Sequence, residues 1–150
     1  MKSTSFAVLA ALMVCLHCQP EPVELQKRWK AHSVEIKNGA NPGFAKVIQK
    51  EAFLDLRTPF DFRARIPESD TKFSFHNRMA EVSGMASIDF NDTIDKLELN
   101  LEYEQPEQLD GSTERMALRN ASVESITIFF GMNDESGDGG YSVTFHPANQ

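Results

Sequence analysis

Cysteine is nearly absent from this sequence, and the two that occur, Cys15 and Cys18, both lie near its beginning. A domain formed by the later residues therefore has no disulfide framework, and its stability must come from a hydrophobic core. The Cys-x-x-Cys spacing is typical of redox or metal pairs in folded domains. Cys15 lies inside an apolar run, however, which disfavours a metal or redox pair.

Long apolar runs are also scarce, since residues 6–16 form the one clear example. This run follows a short segment with a single positive charge, Lys2, and it is too short to span a bilayer as a stable helix. The layout is typical of a secretory signal peptide. We therefore expect a signal peptide over residues 1–18, a proline-rich tether over 19–24 and one domain over 25–150, exported and without a transmembrane segment.

Runs of lysine and arginine are missing as well. The chain has 15 basic and 22 acidic residues, and loss of residues 1–18 would leave 14 basic against the same 22 acidic residues. Phosphate backbones and anionic lipid head groups repel a domain of this charge. We therefore expect no nucleic-acid partner.

Alternation of apolar and polar residues dominates the rest of the chain. Short segments with a period of two recur from residue 34 to residue 145, separated by clusters of Pro, Asn, Asp and Gly. Such segments are half-buried strands, and no long helical stretch separates them as a parallel sheet requires. The pattern predicts an all-β fold, an antiparallel up-and-down β-barrel of about eight strands, with a β-sandwich as the alternative.

Residues 41–57 are the ambiguous part of this pattern. Asn41 followed by Pro42 is a good helix start, and Phe44, Val47 and Ile48 share one helical face. We predict a short helix or an irregular cover over 42–50, followed by a strand, and we expect this segment to lie over the mouth of the barrel.

Two segments resemble lipocalin-like domains. Leu25-Gln26-Lys27-Arg28-Trp29 is similar to their opening Leu-x-Gly-x-Trp, with Lys27 at the glycine position. Tyr141-Ser142-Val143-Thr144-Phe145 resembles the closing strand of small bacterial lipocalin-like lipoproteins. The resemblance implies that Trp29 closes the bottom of the barrel and that the interior holds a small hydrophobic molecule.

The residues expected to face such a ligand are inward and mostly aromatic or aliphatic: Phe60, Phe62, Phe73, Phe75, Ile88, Phe90, Leu99, Leu101, Ile128 and Tyr141. An eight-stranded barrel is just wide enough to be filled by side chains or to hold one small ligand. The alternative function is therefore a non-catalytic interaction or structural module with a filled core.

The apolar run that ends near Cys18, with the proline-rich tether after it, resembles the start of a bacterial lipoprotein. In that family the cysteine is lipidated and becomes the first residue of the mature chain. The resemblance implies a lipid anchor at Cys18, as the one contact with a membrane, and a place in the bacterial cell envelope. The alternative is a soluble secreted or periplasmic protein.

Catalytic and metal-binding groups do not converge in the predicted strands. His32 has the parity of the inward residues on its strand, whereas His76 and His146 each follow an inward Phe and should point outward. Histidines on opposite faces of a barrel wall cannot bind one ion. The inward positions are otherwise almost wholly apolar, so we expect no catalytic residue, no metal and no cofactor, and hence no enzyme.

Overall fold

The computed structural model describes residues 19–37, 39–68, 77–131 and 139–149. In this part of the chain one α-helix, α1, spans Pro42–Glu51, and two 3₁₀ helices span Pro22–Leu25 and Glu107–Leu109. The strands are β1 (Arg28–Ile36), β2 (Phe53–Asp55), β3 (Asp61–Pro67), β4 (Met79–Asn91), β5 (Lys96–Gln105), β6 (Thr113–Ala117), β7 (Ile126–Phe130) and β8 (Tyr141–Pro147). No described helix has the length and hydropathy needed to cross a membrane.

The eight strands form one antiparallel sheet in the order β6-β5-β4-β3-β2-β1-β8-β7. Chain neighbours are therefore sheet neighbours from β1 to β6, and β8 pairs with both β7 and β1. The two edge strands meet where Arg119 and Thr127 exchange backbone hydrogen bonds of 2.8 and 2.9 Å. The sheet is thus a nearly closed up-and-down barrel, which confirms the predicted fold class.

The helix predicted over residues 42–50 is present as α1. Its cap is Asn41, whose Oδ1 accepts hydrogen bonds from the N–H groups of Gly43 at 2.8 Å and Phe44 at 3.2 Å. The buried face is centred on Phe44, Ala45 and Ile48. Val47, predicted on the same face, lies at its margin and is 37% exposed, so this detail of the prediction was wrong.

Helix α1 completes the wall beside the very short strand β2. Gln49 Nε2 donates a hydrogen bond of 2.8 Å to the carbonyl of His32 on β1. On the other side, the guanidinium of Arg65 on β3 lies 2.8 Å from the carboxylate of Glu51. The helix therefore bridges the strands on either side of β2.

Side chains fill the interior of the barrel. The largest fully buried ones are Trp29, Tyr141, Phe145, Leu25, Ile48, Leu54, Leu99, Leu101, Ile126, Ile128 and Val143. They come from β1, β2, β5, β7 and β8, from α1 and from the 3₁₀ helix Pro22–Leu25. Among the described residues, every buried side-chain nitrogen or oxygen has a hydrogen-bond partner. This interior is a packed core.

The predicted inward position of His32 is wrong. The β1–β8 register shifts between Ala31 and Ser33, so His32 is the extra residue of a β-bulge. A bulge breaks the period of two and re-aims the side chain. The exposed imidazole of His32 stacks on that of His146, with ring centroids 3.9 Å apart. Within the described ranges, no three His, Cys, Asp or Glu side chains are grouped to hold a metal ion.

Candidate functional site

We call the end of the barrel at which β1 starts and the β4–β5 turn lies the lower end. The 3₁₀ helix Pro22–Leu25 packs at this end. Leu25 and Trp29 are both fully buried, and the indole N–H of Trp29 donates a hydrogen bond of 3.0 Å to the carbonyl of Leu25. This bond ties the 3₁₀ helix, which begins inside the predicted tether, to the base of β1.

Strands β4 and β5 extend at the lower end past the start of β3. The β3–β4 ladder begins with the pair Asp61↔Met85, whereas the β4–β5 ladder continues to Asn91↔Lys96. Residues 86–91 of β4 therefore form an overhang that has no β3 residue beside it.

A glycine marks the place where β4 leaves β3. The β4–β5 register shifts between Ser83 and Gly84. A Cβ atom at Gly84 would lie 2.0 Å from the carbonyl oxygen of Glu102, closer than any side chain can approach. The close approach of the two backbones therefore requires glycine, and the extra residue of the bulge is Glu104 on β5.

A pocket of about 210 Å³, termed the lower pocket, lies between the overhang, the β2–β3 connection and the 3₁₀ helix. Its deepest walls are apolar, because Leu56 and Leu99 are 4% and 0% exposed. Ala86 and Ile88 add partly buried apolar surface. The other lining residues are Pro22, Gln26, Thr58, Phe60, Asp61, Ser87 and Asp89. The polar ones among them are exposed, so the pocket has an apolar floor and a polar rim.

Phe60 stands at the mouth of the lower pocket. Its side chain is 76% exposed, so the prediction that it faces the interior was wrong. It lies in the turn before β3, where the alternation of the strand does not yet apply. Its φ is +69°, a left-handed conformation that costs a non-glycine residue about 1–3 kcal/mol. The carbonyl of Phe60 accepts a hydrogen bond of 2.8 Å from the N–H of Ala86, which attaches this turn to the overhang.

The other described residues that were predicted to face a ligand fall into two groups, one in the lower pocket and one in the core. Ile88 and Leu99 line the lower pocket with Phe60. Phe62, Leu101, Ile128 and Tyr141 are 0–3% exposed within the packed core. These four side chains therefore fill the interior in which the sequence pattern predicted a ligand.

Phe90 points inward, as its alternation predicts, but it does not lie in the barrel interior. It pairs with the buried Leu97, so it lies on the inner face of β4, yet it is 46% exposed. The overhang carries it beyond the rim of the barrel, where no opposite wall covers it. Phe73, Phe75 and the predicted lipidation site Cys18 lie outside the described residues.

One polar pair on the inner face was not predicted. Glu114 on β6 pairs directly with Leu101 and shares its inner face. Its carboxylate accepts a hydrogen bond from the hydroxyl of the buried Tyr103. Burial, the charge of Glu114 and this hydrogen bond raise the pKa of Tyr103 well above its ordinary value of about 10. The sequence pattern could have predicted the inward position of Glu114, because Glu114 lies two residues before the inward Met116 on the same strand.

The lower pocket can take up the apolar part of a small molecule, while its rim can hydrogen-bond a polar group at one end of that molecule. Comparisons with protein-family models, curated proteins and solved structures give no match for this chain. The barrel and its openings are therefore the features from which a function follows.

Proposed function

We propose that the protein is an exported, lipocalin-like β-barrel that binds a small apolar compound in the lower pocket. The observation that carries the proposal is an opening of about 210 Å³ that reaches the buried side chains of Leu56 and Leu99. An apolar cavity of about 150 Å³ in another protein binds benzene. The lower pocket therefore has room for a compound of roughly ten non-hydrogen atoms.

The ligand class follows from the chemistry of the pocket. No charged group lies on its floor, so a ligand gains chiefly by removing apolar surface from water. Burial of about 150 Å² at about 25 cal/mol per Å² contributes about 4 kcal/mol, which corresponds to a Kd near 1 mM. Hydrogen bonds to Gln26, Thr58 or Asp61 would strengthen binding of a compound with one polar end. A charged ligand without an apolar body is disfavoured.

The packed core limits the size of the ligand. Leu101, Ile128 and Tyr141 fill the centre of the barrel, so a long acyl chain would have to displace several of them. Displacement of well-packed side chains costs several kcal/mol. We therefore place the ligand at the lower end of the barrel rather than along its axis.

Export and an anchor at Cys18 belong to the same proposal, and the support for both is the sequence pattern of residues 1–24. The 3₁₀ helix at Pro22–Leu25 lies beside the lower pocket. A tether that leaves from this helix would hold the lower pocket towards the anchored side. Intact mass of the protein from its native host tests this, since we expect a chain that starts at Cys18 and carries acyl groups. A mass that includes residues 1–17 contradicts export.

Nuclear magnetic resonance tests the binding site directly. Benzene, toluene and hexanol are titrated separately into the ¹⁵N-labelled protein, and we expect saturable shifts at residues of the lower pocket. Ile88→Trp should fill the pocket and weaken binding at least about tenfold. The matched control is Ile36→Trp, because Ile36 is 43% exposed near the opposite end of β1. This variant should leave binding unchanged.

A filled-core interaction module is the second candidate, favoured by the complete burial of the interior side chains. Absence of saturable shifts for all three compounds would contradict the carrier proposal and leave this module. Equal weakening by both tryptophan variants would also contradict the site, because it would indicate a general loss of structure.

A further inference from the structure

A second opening lies on the outer face of β4, β5 and β6. It is an open groove of about 790 Å³, termed the outer groove. The pairs Ser87↔Asn100 and Asp89↔Glu98 lie in it, and Arg115 pairs with Asn100 at its far side. These residues have the parity opposite to that of the core. Phe90, Leu101 and Glu114 also line the groove, but they belong to the inner face of the sheet.

Three large apolar side chains are exposed along the outer groove. Phe60 is 76%, Phe90 46% and Met85 43% exposed. Grouped apolar exposure of this kind marks interaction surfaces, and aromatic residues and methionine are enriched at protein interfaces. Phe60 has a left-handed backbone conformation, which lowers stability, and its ring is exposed to solvent.

The charge of the outer groove is strongly one-sided. Its lining contains one cationic side chain, that of Arg115, and the carboxylates of Asp89, Asp92, Glu98 and Glu102. A fifth carboxylate, that of Glu114, belongs to the inner face and accepts the hydrogen bond from Tyr103. Asp89 and Glu98 face each other directly across the β4–β5 ladder, an arrangement that destabilises a sheet. Neither of them has an ion-pair partner in the described part of the chain.

Hydrogen bonds hold the carboxylate of Asp89 in place. Its Oδ2 accepts from the hydroxyl of Ser87 at 2.7 Å and from the amide of Asn100 at 3.0 Å. The opposed carboxylates therefore form an oriented negative centre within reach of the exposed apolar side chains of the same groove. A cation bound between them would remove the repulsion of the pair.

We propose that the outer groove binds an extended basic segment of another protein, in which Lys or Arg side chains alternate with apolar ones. The carboxylates fit the cationic side chains, and the exposed side chains of Phe60 and Met85 fit the apolar ones. A second copy of this chain is a poor occupant, because its net charge of −7 opposes association with an acidic groove. This site differs from the lower pocket in its ligand, although Phe60, Ala86, Ser87 and Asp89 line both openings.

Fluorescence anisotropy tests the charge requirement. A fluorescein-labelled decapeptide that alternates Lys with Leu is titrated into the full chain, and we expect saturable binding. Raising the ionic strength from about 0.05 M to about 0.5 M should weaken it at least about tenfold. The double variant Asp89→Asn/Glu98→Gln should weaken it by a similar factor. Glu107→Gln/Glu124→Gln loses the same charge outside the groove and should change the Kd by less than about twofold.

The apolar requirement is tested with a second peptide and a second pair of variants. A peptide that alternates Lys with Ser keeps the charge and should bind at least about fivefold more weakly. Phe60→Ser should weaken the Lys-Leu peptide, whereas Val123→Ser, a change at a residue that is 42% exposed elsewhere, should not. Circular dichroism verifies that all variants are folded.

Two results would overturn the proposal: an anisotropy signal that does not saturate, or one that Asp89→Asn/Glu98→Gln leaves unchanged. The Ile88→Trp variant separates this site from the lower pocket. It blocks the lower pocket, and Ile88 does not line the outer groove, so peptide binding should persist. Loss of peptide binding in that variant would contradict the independence of the two sites.

Discussion

The wall formed by β7, β8 and β1 and the overhang of β4 follow the same alternation, but their inward side chains differ in burial. In the wall, Tyr141, Val143 and Phe145 are 0–1% exposed. In the overhang, Ile88 is only partly buried and Phe90 is 46% exposed, although both lie on the inner face. Alternation thus determines which way a side chain points. Burial depends on whether a neighbouring strand extends far enough to cover it.

The largest expected difference in unfolding free energy is between a Phe→Ala substitution in the wall and one in the overhang. Phe145→Ala should cost about 3–5 kcal/mol of unfolding free energy, because it leaves a cavity in a packed core. Phe90→Ala should cost less than about 1 kcal/mol, because its ring is half in water. Urea denaturation followed by the fluorescence of Trp29, the one tryptophan in the sequence, measures both. Equal costs would mean that the overhang is covered in solution.

The two tyrosines of the sequence, Tyr141 in the wall and Tyr103 on β5 next to the overhang, can be compared at alkaline pH. In the wall, the hydroxyl of Tyr141 accepts from the N–H of Asn41 at 2.9 Å and donates to its carbonyl at 3.1 Å. Burial raises the pKa of Tyr141, and the hydrogen bond from Asn41 offsets part of this rise. The pKa of Tyr103 is also raised, by burial and by Glu114.

Both tyrosines therefore ionise more readily in the unfolded chain, at about pH 10. Their contribution to stability is complete below that pH and is lost as the pH rises above it, for Tyr103 by up to about 1.4 kcal/mol per pH unit. In urea titrations at pH 10 to about 11, Tyr103→Phe should reduce this slope by up to that amount, and Tyr141→Phe should reduce it as well. Tyrosinate absorbance that rises near pH 10 while the protein stays folded would contradict the prediction.

A smaller difference in stability is expected between alanine substitutions at two asparagines. Asn41→Ala removes the cap of α1 and should cost about 1 kcal/mol. Asn91→Ala removes a single bond of 2.9 Å from the N–H of Thr93 in the exposed β4–β5 turn and should cost a few tenths of a kcal/mol. Thermal unfolding of the two variants measures both costs. A larger cost at Asn91 would mean that the turn at the tip of the overhang is part of the cooperative core.

Much of the barrel was predictable because strand alternation is a local property. It placed Phe62, Leu99 and Ile128 correctly on the inner face. It failed at His32 and Phe60, where a bulge and a left-handed residue interrupt the period of two. Both irregularities involve a single residue and leave no clear trace in the hydrophobic pattern.

The sequence by itself determined the antiparallel strands, the start of α1 at Asn41-Pro42 and the acidic balance of the chain, because each depends on neighbouring residues or on composition. The tertiary structure alone decided that the centre of the barrel is packed and that two openings lie beside the overhang. The reason is that both openings arise where β4 and β5 extend past β3. The relative lengths of paired strands are set by contacts between distant parts of the chain.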